Sequence, residues 1–130
     1  MLARVTSLLR RNTVYADARV LAQGAPAAGG DEATTLTIAN LLAKLITVTP
    51  TAARAYTLPT GTLTEAGVNL RVGESFDWSL INLAAATHAV TVTAGTAHTV
   101  VGTMAVAAAS SGMFRTRKTD VNTFVTYRIA

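Results

Sequence analysis

From Thr35 to the C-terminus, apolar and polar residues alternate with a period of two in one short run after another, and no helical period persists between the runs. A period of two sends successive side chains to opposite faces of a strand, so each run reads as a β-strand with one buried and one wet face. Turn residues separate the runs. Leu45 to Thr49 stops at Pro50, and Ala55 to Leu58 stops at Pro59. Ala94-Gly95-Thr96 turns the run from His88 to Thr93 into the one from His98 to Gly102. Ser75 to Asn82 alternates most regularly, with Phe76, Trp78 and Leu80 on one face and Ser75, Asp77, Ser79 and Ile81 on the other. Met113 to Lys118 and Thr123 to Ile129 flank the polar junction Thr119 to Asn122, the signature of a β-hairpin. Helix is expected as isolated turns only. Ala39 to Lys44 fits a helical turn or a bulged strand, and Thr62-x-x-Glu65 has the form of a capping box closed by Gly67. The expected fold is all-β, an antiparallel β-sandwich or barrel of jelly-roll type over residues 34–130.

What such a fold can do depends on its surface. Charged residues make up 14% of the 130, against roughly 25% in an average soluble domain. Thr, Ala, Ser and Asn must cover the outside instead, and weak self-repulsion suits a protein held against copies of itself or a large assembly. With 5% aromatic residues, the core needs Trp78, Phe76, Phe114, Phe124, Tyr56 and Tyr127 as its large fillers. The chain has no Cys, which removes disulfides and thiolate metal sites and is compatible with a reducing cytosol.

Residues 1–33 read differently. The stretch Gln23 to Asp31, QGAPAAGGD, has nothing to bury and reads as a linker. Before it lies an arm in which Leu2, Val5, Leu8 and Leu9 share a helical face, while Arg4, Arg10, Arg11 and Arg19 are opposed by Asp17 alone. A helix this short is marginal by itself in water, so the arm is expected to order on contact with a partner. Arg4 and the Arg10-Arg11 pair interrupt any secretory apolar core, although a basic amphipathic presequence has similar spacing. No apolar run approaches the roughly 18 residues that a membrane helix needs, so no membrane partner is expected.

Catalytic chemistry finds little support. Asp31 and Glu32 are the one adjacent acidic pair and follow a Gly-rich linker, where carboxylates stay solvated. His88 and His98 could share a metal with Asp77 only if scattered strands converged, and a triad of Ser79, His88 and Asp77 lacks a nucleophile-elbow sequence. No catalytic residue, cofactor or metal is therefore expected. The basic group Arg115, Arg117 and Lys118 is the stronger feature, with Arg115 and Arg117 on one strand face where they could meet a partner's carboxylates. Phe114 points to the opposite face, so base stacking, and with it a specific nucleic-acid partner, is not expected.

Three stretches carry a resemblance. TLTIANLLAKLITVTPTAARAYTLPTGTL from Thr35, VGESFDWSLIN from Val72 and GMFRTRKTDVNTFVTYRI from Gly112 resemble the capsid decoration, or cement, proteins of tailed bacteriophages. The resemblance implies a β-rich homotrimer, made in the host cytoplasm, that sits on the outer surface of the expanded head. There it would bridge major capsid protein subunits. The arm residues Leu2, Arg4, Val5, Leu8, Leu9, Arg10, Arg11 and Arg19 are then the expected capsid contacts. The competing expectation is a fibre or tail module that binds host receptors or glycans, which would need exposed aromatic platforms.

Overall fold

The computed structural model describes residues 22–130. In chain order its elements are β1 (Ala27–Ala28), β2 (Thr34–Thr35), α1 (Ile38–Leu42), β3 (Leu45–Val48), β4 (Arg54–Thr57), α2 (Gly61–Gly67), β5 (Ser75–Asn82), β6 (Val90–Thr93), β7 (His98–Val101), β8 (Ala105–Val106), β9 (Ser110–Asp120) and β10 (Thr123–Arg128). Successive strands up to β9 alternate between two sheets. One sheet has the order β1-β3-β5-β9-β10-β7 and the other β2-β4-β6-β8.

This wiring corrects the expected architecture. Through β6, each strand pairs in parallel with the strand two places along: β1 with β3, β3 with β5, β2 with β4 and β4 with β6. β8 then runs antiparallel to β6, and β9 antiparallel to both β5 and β10, while β7 closes the larger sheet in parallel with β10. With 44% strand and 11% helix among the described residues, the fold is a mixed α/β one with two mixed sheets, not a purely antiparallel all-β sandwich or barrel. The physical reason is that a half-buried strand alternates in the same way whichever direction its neighbour runs. Pro50 and Pro59 do end β3 and β4, but the chain leaves each of them for the other sheet instead of turning back on itself. The same holds at Ala94-Gly95-Thr96, because β6 and β7 belong to different sheets. The hairpin at the Thr119–Asn122 junction does form, as β9 and β10.

Both helices among the described residues are short and capped by Thr. At α1, Thr37 Oγ1 accepts from Asn40 N and Asn40 Oδ1 accepts from Thr37 N, a reciprocal box that the sequence reading did not anticipate. At α2 the cap is Thr60, whose hydroxyl accepts from Leu63 N at 3.2 Å, so the expected Thr62/Glu65 box is absent. Thr60 follows Pro59 in extended conformation and reaches the first free amide before Thr62 can. Glu65 is thereby left to face the β9–β10 hairpin.

The facing sides of the sheets share one core. Trp78 and Phe114 are opposite one another across β5 and β9 and stack with ring centroids 4.5 Å apart. Around them lie Leu36, Leu41, Ile46, Val48, Tyr56, Leu58, Leu80, Val90, Val92 and Val106. Phe124 is also buried, whereas Phe76 and Tyr127 are only half-buried. Part of the stretch expected as linker belongs to this body. Ala27 and Ala28 pair with β3, the buried Tyr56 donates its hydroxyl to Gly30 O at 2.6 Å, and Asp31 accepts from Thr51 N, Thr51 Oγ1 and Arg54 Nε.

Candidate interaction surface

The parity of the larger sheet decides what faces outward. With Trp78, Leu80, Phe114, Phe124 and Thr126 turned to the core, the other side presents Ser75, Asp77, Ser79 and Ile81 from β5, Met113, Arg115 and Arg117 from β9, and Tyr127 from β10, with Val125 on the same side but buried beneath its neighbours. Register groups these side chains into rows. Leu45 lies beside Ser79 and Met113, Asp77 beside Arg115, Tyr127 and Val101, and Ser75 beside Arg117, Val125 and Thr99. Val101, Met113 and Ile129 are exposed, and Leu83 extends the apolar character just beyond β5.

The basic group divides across this sheet. Arg115 makes a two-pronged ion pair with Asp77, Nε to Oδ1 at 2.7 Å and Nη2 to Oδ2 at 3.0 Å. Each group shifts the other in the direction of charge. The Arg115 hydrogen bonds hold the Asp77 carboxyl below its usual range, and Asp77 raises the guanidinium. Arg117 sends Nη1 to the Tyr127 hydroxyl at 3.2 Å on the same outer face. Lys118 points the other way. It is buried, and its Nζ donates to Glu65 Oε2 at 2.6 Å and to Leu70 O at 3.2 Å, so it ties β9 to α2 instead of waiting for a partner. Glu65 also accepts from Asn122 N, and these contacts, Lys118 first, lower its pKa.

The other sequence candidates separate in space. His98 lies in the core on the inner side of β7, whereas His88 is exposed before β6 and Asp77 sits on the outer face in the grip of Arg115. The conceivable metal trio and the Ser79–His88–Asp77 triad are therefore not assembled, and no group of three or more His, Cys, Asp or Glu residues gathers among the described residues. The arm residues Leu2, Arg4, Val5, Leu8, Leu9, Arg10, Arg11 and Arg19 lie outside the described residues. No helix among the described residues is long and apolar enough to cross a membrane.

Two features escaped the sequence reading. One is a shallow apolar groove of about 400 Å³ between α1 and α2, bounded by Leu36, Ile38, Leu63 and Ala66. The other is a buried polar chain formed by Trp78, Thr116, Thr126 and His98. Its signal was present, since Thr116 and Thr126 occupy core-facing positions two residues from Phe114 and Phe124. A search among protein-family models, curated proteins and solved structures finds no match to this chain.

Proposed function

We propose that the protein is a structural component of a phage virion, bound as a homotrimer to the outer surface of the expanded head, where it stabilises contacts between major capsid protein subunits. The observation that carries this reading is the solvent side of the larger sheet. It is broad, has Asp77–Arg115 as its central ion pair, and exposes Val101, Met113, Ile129 and Leu83 beside Thr47, Thr99 and Ser79. A face of this kind binds by area and fit. Contacts near the low end for stable interfaces, about 1,200 Å² in total, suffice when several copies engage one lattice together. The resemblance of residues 35–129 to decoration proteins supports the same assignment. Trp78 and Tyr56 are both buried, so neither supplies the exposed aromatic platform on which a glycan-binding fibre module would depend.

Light scattering of the purified chain, followed by cosedimentation with expanded empty heads that lack decoration, tests the proposal. A trimer that saturates head sites is the expected result. A chain lacking residues 1–22 is expected to remain a folded trimer and to lose the heads. A strict monomer with no affinity for heads would sink the assignment, and undiminished binding by the truncated chain would remove the arm from it.

A further inference from the structure

The inner side of the larger sheet holds a chain of polar groups in which every proton has one place to go. Trp78 Nε1 can only donate, and it meets Thr116 Oγ1 at 2.9 Å. At the other end the Pro59 carbonyl can only accept, and it lies 2.9 Å from His98 Nδ1. Between them, Thr116 Oγ1 and Thr126 Oγ1 are 2.8 Å apart, and Thr126 Oγ1 is 2.8 Å from His98 Nε2. With both ends fixed, the direction of each bond follows. His98 is neutral and carries its hydrogen on Nδ1, Thr126 donates to Nε2, Thr116 donates to Thr126, and Trp78 donates to Thr116. Trp78, Thr116, Thr126 and His98 are all buried, so water does not offer substitutes.

A proton added to His98 has no place in this arrangement. Nδ1 still serves Pro59, but Nε2 now presents a hydrogen to Thr126, which must turn its own toward Thr116. Thr116 already receives the indole hydrogen, so its hydroxyl loses its acceptor. The disturbance therefore travels from His98 to Thr116, the acceptor of the Trp78 indole hydrogen.

No charged neighbour is placed to accommodate an imidazolium. Of the elements packed around His98, α2 contributes Glu65 and β9 contributes Lys118, and these two are bonded to each other. Arg128 of β10 is occupied by the carbonyls of Thr103 and Ala105, Arg115 and Arg117 of β9 are on the outer face, and Asp120 at the hairpin is exposed. The remaining contact is the Phe124 ring, 5.9 Å away. Burial accordingly pushes the His98 pKa below its ordinary 6.5, with the Pro59 carbonyl opposing that shift.

We propose that His98 is an acid-operated latch. When neutral, it fastens the edge strand β7 and the Pro59 corner to the core side of β10; when protonated, it releases them, and Trp78 registers the change. β7 is the strand to be freed because β10 is its one partner in the sheet. For a group whose folded pKa lies below the unfolded value, the stabilising contribution is complete above pH 6.5 and declines as the pH falls below it toward the folded pKa.

The test follows the full chain by NMR as the pH is lowered. The His98 ring is expected to titrate below 6.5, and the indole N–H of Trp78 to move with the same midpoint. Corrected for the intrinsic pH dependence of exchange, β7 amides should lose about tenfold in protection for each unit of pH between 6.5 and that midpoint and level off below it, while β3 amides keep their protection. His98→Gln, whose amide can donate to Pro59 and whose carbonyl can accept from Thr126, is expected to abolish the acid step. Thr126→Val should leave the ring titrating but uncouple Trp78, and His88→Gln should change none of this. A His98 midpoint at or above 6.5 overturns the proposal without recourse to any variant. So does β7 protection that stays constant while the ring titrates, or an acid step that survives in His98→Gln.

Discussion

Gly61 is the position where packing and intrinsic preference disagree most sharply. It is the first residue of α2, where Ala is favoured over Gly by about 0.8–1 kcal/mol in helix propensity. A Cβ placed there, however, would overlap the Asn122 carbonyl and lie 2.7 Å from Ala97 O. Both obstacles are backbone, and both are tied. Phe124 N donates to Ala97 O at 3.0 Å, Asn122 N donates to Glu65 Oε1 at 2.9 Å, and Gly61 N itself donates to Thr96 O at 2.8 Å. Relief must come from moving α2 away from the β9–β10 turn, and overpacking of this kind costs about 1–3 kcal/mol, at the upper end where backbone has to shift. Gly61→Ala is therefore expected to destabilise by about 2 kcal/mol net of the propensity gain. Gly67→Ala is the internal comparison. There the obstacle is Ile38 of α1, whose two γ carbons lie 2.6 and 2.7 Å and whose Cβ lies 3.2 Å from the added Cβ; a β-branched side chain is stiff at χ1, so α1 has to shift and a loss of about 1–3 kcal/mol is expected there too. Gly24→Ala meets nothing within 4 Å and should be silent. Urea unfolding followed by far-UV circular dichroism gives the three midpoints, with an unchanged slope as the condition for reading them as stability. A Gly61→Ala protein as stable as the parent would refute the close seating of α2 on the hairpin.

Thr116→Val removes the acceptor of the buried Trp78 N–H and is expected to cost about 1–3 kcal/mol in the same assay. Adding Trp78→Phe should cost less than the sum of the two single changes, because the orphaned donor is gone. Asp31 is held at a pKa of about 2 by the Thr51 side chain first, then by the Thr51 amide and Arg54, against an ordinary 3.8. Its contribution should thus be intact above 3.8 and vanish as the pH falls toward about 2, and Asp31→Asn should flatten the urea midpoint over that interval. Asp77→Ala breaks an exposed pair and should leave the midpoint unchanged, whereas Glu65→Ala abandons the buried Lys118 ammonium and should lower it clearly.

The places of the strands, and which residues face inward, were largely legible from alternation. Trp78, Leu80, Phe114 and Phe124 are buried where the period of two puts them, and Pro50 and Pro59 end the strands they were expected to end. Strand direction was not legible, because nothing local in residues 49–53 distinguishes a turn back from a passage to the opposite layer. The cap of α2 was misplaced because Thr60 and Thr62 are equally good caps in isolation, and the neighbouring Pro59 and the hairpin that engages Glu65 settle the choice. Lys118 was read as available for the same reason. Its charge is visible in the sequence, but the carboxylate that claims it lies 53 residues earlier. At the candidate surface, the shared face of Arg115 and Arg117 could be read from spacing, while their neighbours Asp77 and Tyr127 needed the register.

The wiring of the larger sheet has a bearing on synthesis. β5, with Trp78 and Leu80, finds its second neighbour in β9, and β7 finds its one neighbour in β10, the last of the described strands. A nascent polypeptide that has already wound β1 through β6 still shows an unzipped margin at β5, and β7 must wait without a companion until β10 has been made. Translation that stops between β9 and β10 would deliver a body with two raw edges, open to pairing with whatever strand arrives first.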